Sequence, residues 1–216
     1  MTRDLLNRAQ EYLCRGDYQK ALEIYERLEK VISNPKELGD IFYHISLCHM
    51  CMDNDEIALK YVRNAMDIHS KIGDFSALAK DMLQYAILEK NERKVRELID
   101  ESIVLATKAR DFETIIEAIN TLAFLEKNEE NMLEKVRKAY DLAKQSGSKS
   151  GELISLYTMG RILYDMNRTK EAMEAVEKAL KLIEDDGVGK EYYKEIYELA
   201  ELVGVKYGKG GNQKYS

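Results

Sequence analysis

The chain has 216 residues, 45% of them hydrophobic and 33% charged, with one proline and no tryptophan. That length buries a core as one extended domain or two compact ones, and so much charge with so little proline suits helices with solvated faces rather than sheets or disorder. The formal charge of −6 disfavours nucleic acid as the main ligand, because phosphate binding needs a basic surface.

Helical periodicity begins at once. Leu5, Leu6, Ala9, Tyr12 and Leu13 form the apolar stripe of a helix over about Thr2–Arg15. Gly16-Asp17 breaks it, with Asp17 placed to cap a second helix, Tyr18–Ile32, whose stripe is Ala21, Ile24, Tyr25, Leu28 and Val31. Asn34, Pro35 and Glu37 then make a strong helix start, since the cap, the first-turn proline and the carboxylate three residues on each suit that position. Helices follow over Pro35–Met52 and Asp55–Ile72, then Phe75–Lys90 with Glu92–Ala109, and Phe112–Lys127 with Glu129–Ser146. Gly147–Gly151 reads as the loosest connector, before a fifth pair over Glu152–Met166 and Thr169–Glu184 and a last unpaired helix over Lys190–Lys206. Residues 208–216 are glycine-rich and polar, a composition that predicts a frayed tail.

One stretch occurs twice. Asp74-Phe75 opens a helical run that closes with Leu88-Glu89-Lys90-Asn91-Glu92, and thirty-seven residues later Asp111-Phe112 opens one closing with Leu125-Glu126-Lys127-Asn128-Glu129. The same spacing aligns Ala21, Ala58, Val95 and Met132, with Ala172 after forty, and sets Tyr25, Val62, Ile99, Val136 and Val176 in register. Leu28, Ala65, Ser102, Ala139 and Ala179 come one turn later. Small residues where helices cross, flanked by larger apolar ones, are what stacked hairpins need, because no single hairpin can bury its own apolar face.

This pattern resembles the tetratricopeptide repeat family, whose repeat reads Trp-x2-Leu-Gly-x2-Tyr, then Ala-x3-Phe, then Pro. The first pair carries it as Leu5, Ala9, Tyr12, Gly16, Tyr18, Ala21 and Tyr25, and the fifth as Leu156, Met159, Gly160, Leu163, Ala172, Val176 and Ala179. The middle pairs depart from it: Leu83 and Asn120 replace a small residue, Val95 and Met132 replace an alanine, and the period exceeds the family's thirty-four. The resemblance implies an all-α, right-handed superhelical solenoid of antiparallel helix pairs. It would be one domain over 1–207, with repeats at about 2–34, 35–73, 74–110, 111–148 and 149–187 and a capping helix at 189–207.

In that family the first helix of each pair lines a concave groove that holds peptides or partner helices. By register the groove positions are Leu6, Gln10 and Leu13; Tyr43, Leu47 and Met50; Lys80, Gln84 and Ile87; Glu117, Thr121 and Phe124; and Tyr157, Arg161 and Tyr164. These make an apolar floor with a few polar groups, suited to an amphipathic helix or an extended segment. The competing reading is that several of them pack against the neighbouring repeat. The lysine, asparagine and arginine clamp that one subclass uses for C-terminal carboxylates is missing: Leu6, Gln10, His44, Ala77 and Asp81 stand in its window.

His44, Cys48 and Cys51 lie near one face of a predicted helix, with His49 between them and Cys14 on an earlier helix, so zinc is the sharper chemical alternative. A rigid helix seldom wraps adjacent ligands round a tetrahedral ion, and free cysteine packs as a small hydrophobe, so core packing is the expectation. Cys48-x-x-Cys51 also lacks the strand-to-helix setting of a redox pair. His69, near a helix end among apolar residues, is expected to be packed or at the surface. Pairs such as Glu89–Arg93 and Glu174–Lys178 have the spacing of ordinary surface ion pairs. Phosphate loops, nucleophile elbows and zinc-protease helices are absent, and Gly208-Lys209-Gly210-Gly211 lacks the strand and helix that would make it a phosphate loop.

Met1-Thr2-Arg3-Asp4 leads into an amphipathic helix rather than an export signal, and no apolar run reaches the roughly 20 residues that span a bilayer. Three cysteines, an odd number, give no disulfide framework and suggest a reducing compartment. The expectation is a cytoplasmic, non-enzymatic interaction scaffold without cofactor, which binds another protein or a peptide rather than nucleic acid or membrane. A regulatory sensor of a small molecule or signalling peptide, and a self-associating homo-oligomer, are the alternatives.

Overall fold

A computed structural model describes residues 2–188 and 193–206. Among them every regular element is an α-helix: α1 (Thr2–Cys14), α2 (Tyr18–Glu29), α3 (Pro35–Cys51), α4 (Asp55–Ile72), α5 (Phe75–Leu88), α6 (Glu92–Ala109), α7 (Phe112–Ala123), α8 (Glu129–Ser146), α9 (Lys149–Asp165), α10 (Thr169–Asp186) and α11 (Tyr193–Val203). The chain divides into two compact units, Met1–Thr114 and Ile115–Ser216, with the junction inside α7. No described helix is long and apolar enough to cross a membrane.

In the first unit each helix from α1 to α6 packs on its neighbours in the chain, so three hairpins stack in order. The aligned rows are what make this possible. Ala21, Ala58 and Ala65 have no exposed surface, nor have Tyr25, Val62 and Ile99. Burying each of the larger three contributes roughly 1.5–3 kcal/mol. At two of these helix crossings a serine hydroxyl donates to a carbonyl on the facing helix. Ser46 Oγ donates to Ala58 O at 2.8 Å, and Ser102 Oγ to Ala79 O at 2.7 Å.

The second unit repeats the arrangement with α8, α9, α10 and α11 packed in succession around Leu133, Leu153, Val176, Ile196 and Leu199. Ile116 of α7 joins Ala139 and Ala143 of α8. Helix α11 buries Ile196, Leu199, Ala200 and Val203, as a capping helix should, but leaves Leu202 58% exposed. The predicted stretch 189–192 ahead of it, and the tail 208–216, lie outside the described residues.

Asn34 caps α3 as its sequence predicts, accepting the Glu37 amide at 3.1 Å. Asp17 makes no such bond to α2; its carboxylate turns to the Lys20 ammonium at 3.1 Å instead. Helix α5 stops at Leu88, two residues before the predicted end. There Glu89 draws the Lys90 and Asn91 amides onto its own carboxylate at 3.0 and 3.1 Å, a side-chain competitor to the helix bond. Glu89 also takes Lys94 at 2.6 Å, and Arg93 pairs with Glu97 at 2.9 Å, so the expected Glu89–Arg93 pair does not form. Helix α7 likewise ends early, at Ala123. The connector expected over Gly147–Gly151 shrinks to two residues, because Ser148 accepts the Gly151 amide at 3.0 Å and starts α9 at Lys149.

Helices α4, α8 and α10 end on glycines in the left-handed region, Gly73, Gly147 and Gly187, whereas α6 ends on Arg110 with φ 57°. A side chain in that conformation costs about 1–2 kcal/mol, of which the greater unfolded-chain entropy of glycine offsets part. Arg110→Gly is therefore expected to stabilise the protein by about 0.5–1 kcal/mol, read as a higher urea midpoint with an unchanged slope.

Candidate binding surface

The register positions on the first helix of each pair differ widely in depth. In the first unit Leu6, Leu13, Tyr43, Leu47 and Met50 are half-buried, and Gln10 and Lys80 are exposed. Ile87 is 51% exposed, yet it follows Met50 and Leu13 at intervals of thirty-seven, so a row of apolar side chains ends these three helices. Gln84 is the exception, at 3% exposure. Its amide nitrogen donates to Ser46 Oγ at 3.1 Å, which ties α5 to α3, while its carbonyl oxygen has no partner. Gln84 thus serves the helix crossing rather than an open face. Lys80 leans on Asp111 at 3.6 Å.

In the second unit Glu117 and Thr121 are half-buried, and the Thr121 hydroxyl bonds back to the Glu117 carbonyl at 2.9 Å. Phe124, at the position equivalent to Ile87, is 55% exposed just beyond the end of α7. On α9, Tyr157 and Tyr164 are half-buried and Arg161 is exposed. Burial raises the Tyr157 phenol above its ordinary range against the pull of Arg161, with Glu195 and Glu198 of α11 adding to the rise. Asn120 is a buried counterpart of Gln84: its nitrogen donates to Ser155 Oγ at 3.2 Å, and its oxygen is unpartnered.

The cysteine–histidine helix divides its side chains between core and surface. His44 stacks on Tyr25 with ring centroids 5.1 Å apart, Cys48 is fully buried, and Cys51 is exposed. Burial lowers His44 to about 4, so it packs as a neutral ring, and lifts the Cys48 thiol to about 12, far from a reactive thiolate. Among the described residues no three His, Cys, Asp or Glu side chains are grouped to hold a metal.

A buried polar cluster was not foreseen from the sequence. His69 of α4, only 1% exposed, holds Asp81 of α5 through Nδ1 at 2.7 Å and faces Asp40 of α3 through Nε2 at 3.5 Å. Burial alone would lower the imidazole pKa, but bonding to Asp40 and Asp81 outweighs it and raises His69 to about 9. Asp81 is itself raised to about 6 by burial, against the pull of His69. Gly39 makes room for the ring: a Cβ there would lie 2.8 Å from His69 Cδ2. A signal existed in the stripe Ala58, Val62, Ala65, His69, which puts the histidine on the buried face of α4.

No family model matches the chain, and no curated protein does. Solved structures match it well. A Rap conjugation gene regulator in complex with the Phr* peptide has 18% identity and a TM-score of 0.76, over 98% of this chain and 60% of its own. A Rap protein complexed with Competence and Sporulation Factor has 12% identity and a TM-score of 0.73, over 93% of this chain and 64% of its own. A signal-transduction ATPase from Pyrococcus horikoshii with a tetratricopeptide repeat sensor has 19% identity and a TM-score of 0.63, over 90% of this chain and 31% of its own. The chain thus spans about three-fifths of the length of the two Rap proteins and less of the ATPase. At these identities the likeness concerns the fold, and the fold is a tetratricopeptide-like helical repeat.

Proposed function

We propose that the chain is a divergent tetratricopeptide-repeat scaffold of thirty-seven-residue period that works by binding, without catalysis, and takes a peptide or partner helix on the first-helix face. One observation carries the reading: Ile87, in the last turn of α5, and Phe124, just beyond α7, occupy the same repeat position and lie half exposed. Apolar anchors of this kind supply most of the affinity in helix- and peptide-binding surfaces, while charged side chains at other register positions, Lys80 in the first unit and Glu117 and Arg161 in the second, set orientation. That two similar solved proteins are complexes with a peptide or a factor supports a peptide as the ligand class. The odd cysteine count, which gives no disulfide framework, supports a reducing, cytoplasmic setting.

The test is capture from native lysate by the tagged protein, compared with an Ile87→Asp, Phe124→Asp variant shown by circular dichroism to keep its helicity. Both side chains are exposed, so the variant should fold, and capture of the main partner should fall at least tenfold. Undiminished capture by the folded variant would remove this face as the site. A second copy of the chain, or a retained small molecule, would appear in native mass spectrometry of the wild type and decide for the self-associating or the sensor reading.

A further inference from the structure

Tyr85 of α5 is one residue on from Gln84, about 100° further round the helix, and it is the meeting point of two cations. Arg63 Nη2 of α4 donates to its phenol oxygen at 2.8 Å, and Lys94 Nζ of α6 donates to the same atom at 2.8 Å. The two cations also lie 5.2 and 4.8 Å from the ring centroid. A phenol oxygen accepts two hydrogen bonds and donates one. Both acceptor positions are therefore filled, and the Tyr85 hydroxyl proton has no acceptor among the described residues. Glu89, the carboxylate that pairs with Lys94, is already committed: its Oε2 takes Lys94 at 2.6 Å, and Oε1 takes the Lys90 and Asn91 amides. Arg63 has no carboxylate partner among the described residues, which leaves most of its five N–H groups unspent.

Three helices thus bring donors together and supply too few acceptors. We propose that Arg63, Tyr85 and Lys94 form a binding site for a phosphate group, with the Arg63 fork and Lys94 gripping two oxygens and the Tyr85 hydroxyl donating to a third. Donors from three helices match a tetrahedral oxyanion better than a planar carboxylate, and arginine is the side chain best shaped for phosphate. The Tyr85 pKa is lowered, first by the Lys94 bond and then by Arg63, so the hydroxyl is a stronger donor than an ordinary phenol. The site lies within the first unit and does not depend on the binding face proposed above. Its ligand is either the free phosphate ion or a small phosphomonoester.

The experiment is titration with inorganic phosphate, and separately with glycerol phosphate, at constant ionic strength and pH, followed by calorimetry. Wild type should show saturable binding in the millimolar range or tighter. Affinity should fall about tenfold in Arg63→Gln and about threefold in Tyr85→Phe, and stay unchanged in Arg93→Gln, which removes an exposed arginine one position from Lys94. Tighter binding of the ester than of the ion would point to a phosphorylated metabolite, and equal binding to the ion itself; either upholds the site. Absence of saturable binding in wild type, or an equal loss in Arg93→Gln, would overturn it. If a variant misfolds, the wild type alone decides. With tyrosine labelled at Cζ, the low-pKa resonance should titrate at higher pH in phosphate than in chloride, and an unmoved resonance would sink the proposal.

Discussion

Replacing His69 by leucine should destabilise the first unit by roughly 3–5 kcal/mol at pH 8, the range seen when one partner of a buried ion pair is removed. Asp81 is the reason. It is 1% exposed, one of its oxygens has no partner, and the other is held by His69 at 2.7 Å. Without the imidazolium the carboxylate must either stay charged in the core or take up a proton far above its usual pKa. Acid should therefore relieve the variant, with a clearly smaller loss at pH 5 than at pH 8. Adding Asp81→Leu should return most of the stability, since a buried pair contributes little net against well-packed apolar side chains. In wild type both groups act with one sign. His69 is raised from 6.5 to about 9, so the stability it contributes is complete below pH 6.5 and is lost as pH rises through 9. Asp81 is raised from 3.8 to about 6, so the native state holds the extra proton between those values and stability also falls with rising pH there. The wild-type melting temperature should be lower at pH 9.5 than at pH 6.5, and that difference should shrink in the double leucine variant to the smaller part left by the buried Cys48 thiol. An equal loss in His69→Leu at pH 5 and pH 8 would mean that the histidine only fills space.

What the sequence made legible follows from which forces act locally. The apolar register of the helices could be read because stacked hairpins need small residues where helices cross, and Ala21, Ala58, Ala65, Ala139, Ala172 and Ala179 all prove fully buried. Helix ends were less readable, because short-range side-chain bonds compete with the helix over one or two residues. Glu89 halts α5, Ser148 starts α9 early, and Lys20 draws Asp17 away from its cap. The first-helix face was legible as a direction and not as a depth. Register puts Lys80, Gln84 and Ile87 on one side of α5, but only packing against α3 decides that Gln84 is sealed over Ser46 while Ile87 stays open. The His69 cluster needed three helices at once. Each member looks ordinary along the chain, and its chemistry arises only when Asp40, His69 and Asp81 meet.

Gly160 shows the same dependence on three helices through packing alone, and its replacement by leucine is the other change expected to do most damage. It sits buried on α9, and an added Cβ would lie 3.1 Å from Val176 Cγ2 of α10 and 3.3 Å from Leu199 Cδ2 of α11. Both neighbours are core residues without surface to retreat to. Alanine asks them to move by a few tenths of an ångström and gains close to 1 kcal/mol of helix propensity, so Gly160→Ala should change stability by less than about 1 kcal/mol. Leucine adds three further carbons on a line that both helices block. Overpacking of that kind costs about 1–3 kcal/mol where the core can shift, and more where two elements must separate together. Gly160→Leu is expected to cost the second unit at least about 3 kcal/mol, visible as lost amide protection along α9, α10 and α11 in hydrogen exchange. Tyr157 and Tyr164 lie one turn either side of Gly160, so the displacement reaches the proposed binding face as well. Where Gly160→Ala retains partner capture, Gly160→Leu should lose it even at temperatures at which it remains helical. Full protection of α9–α11 in Gly160→Leu would show that the close crossing does not hold this unit together.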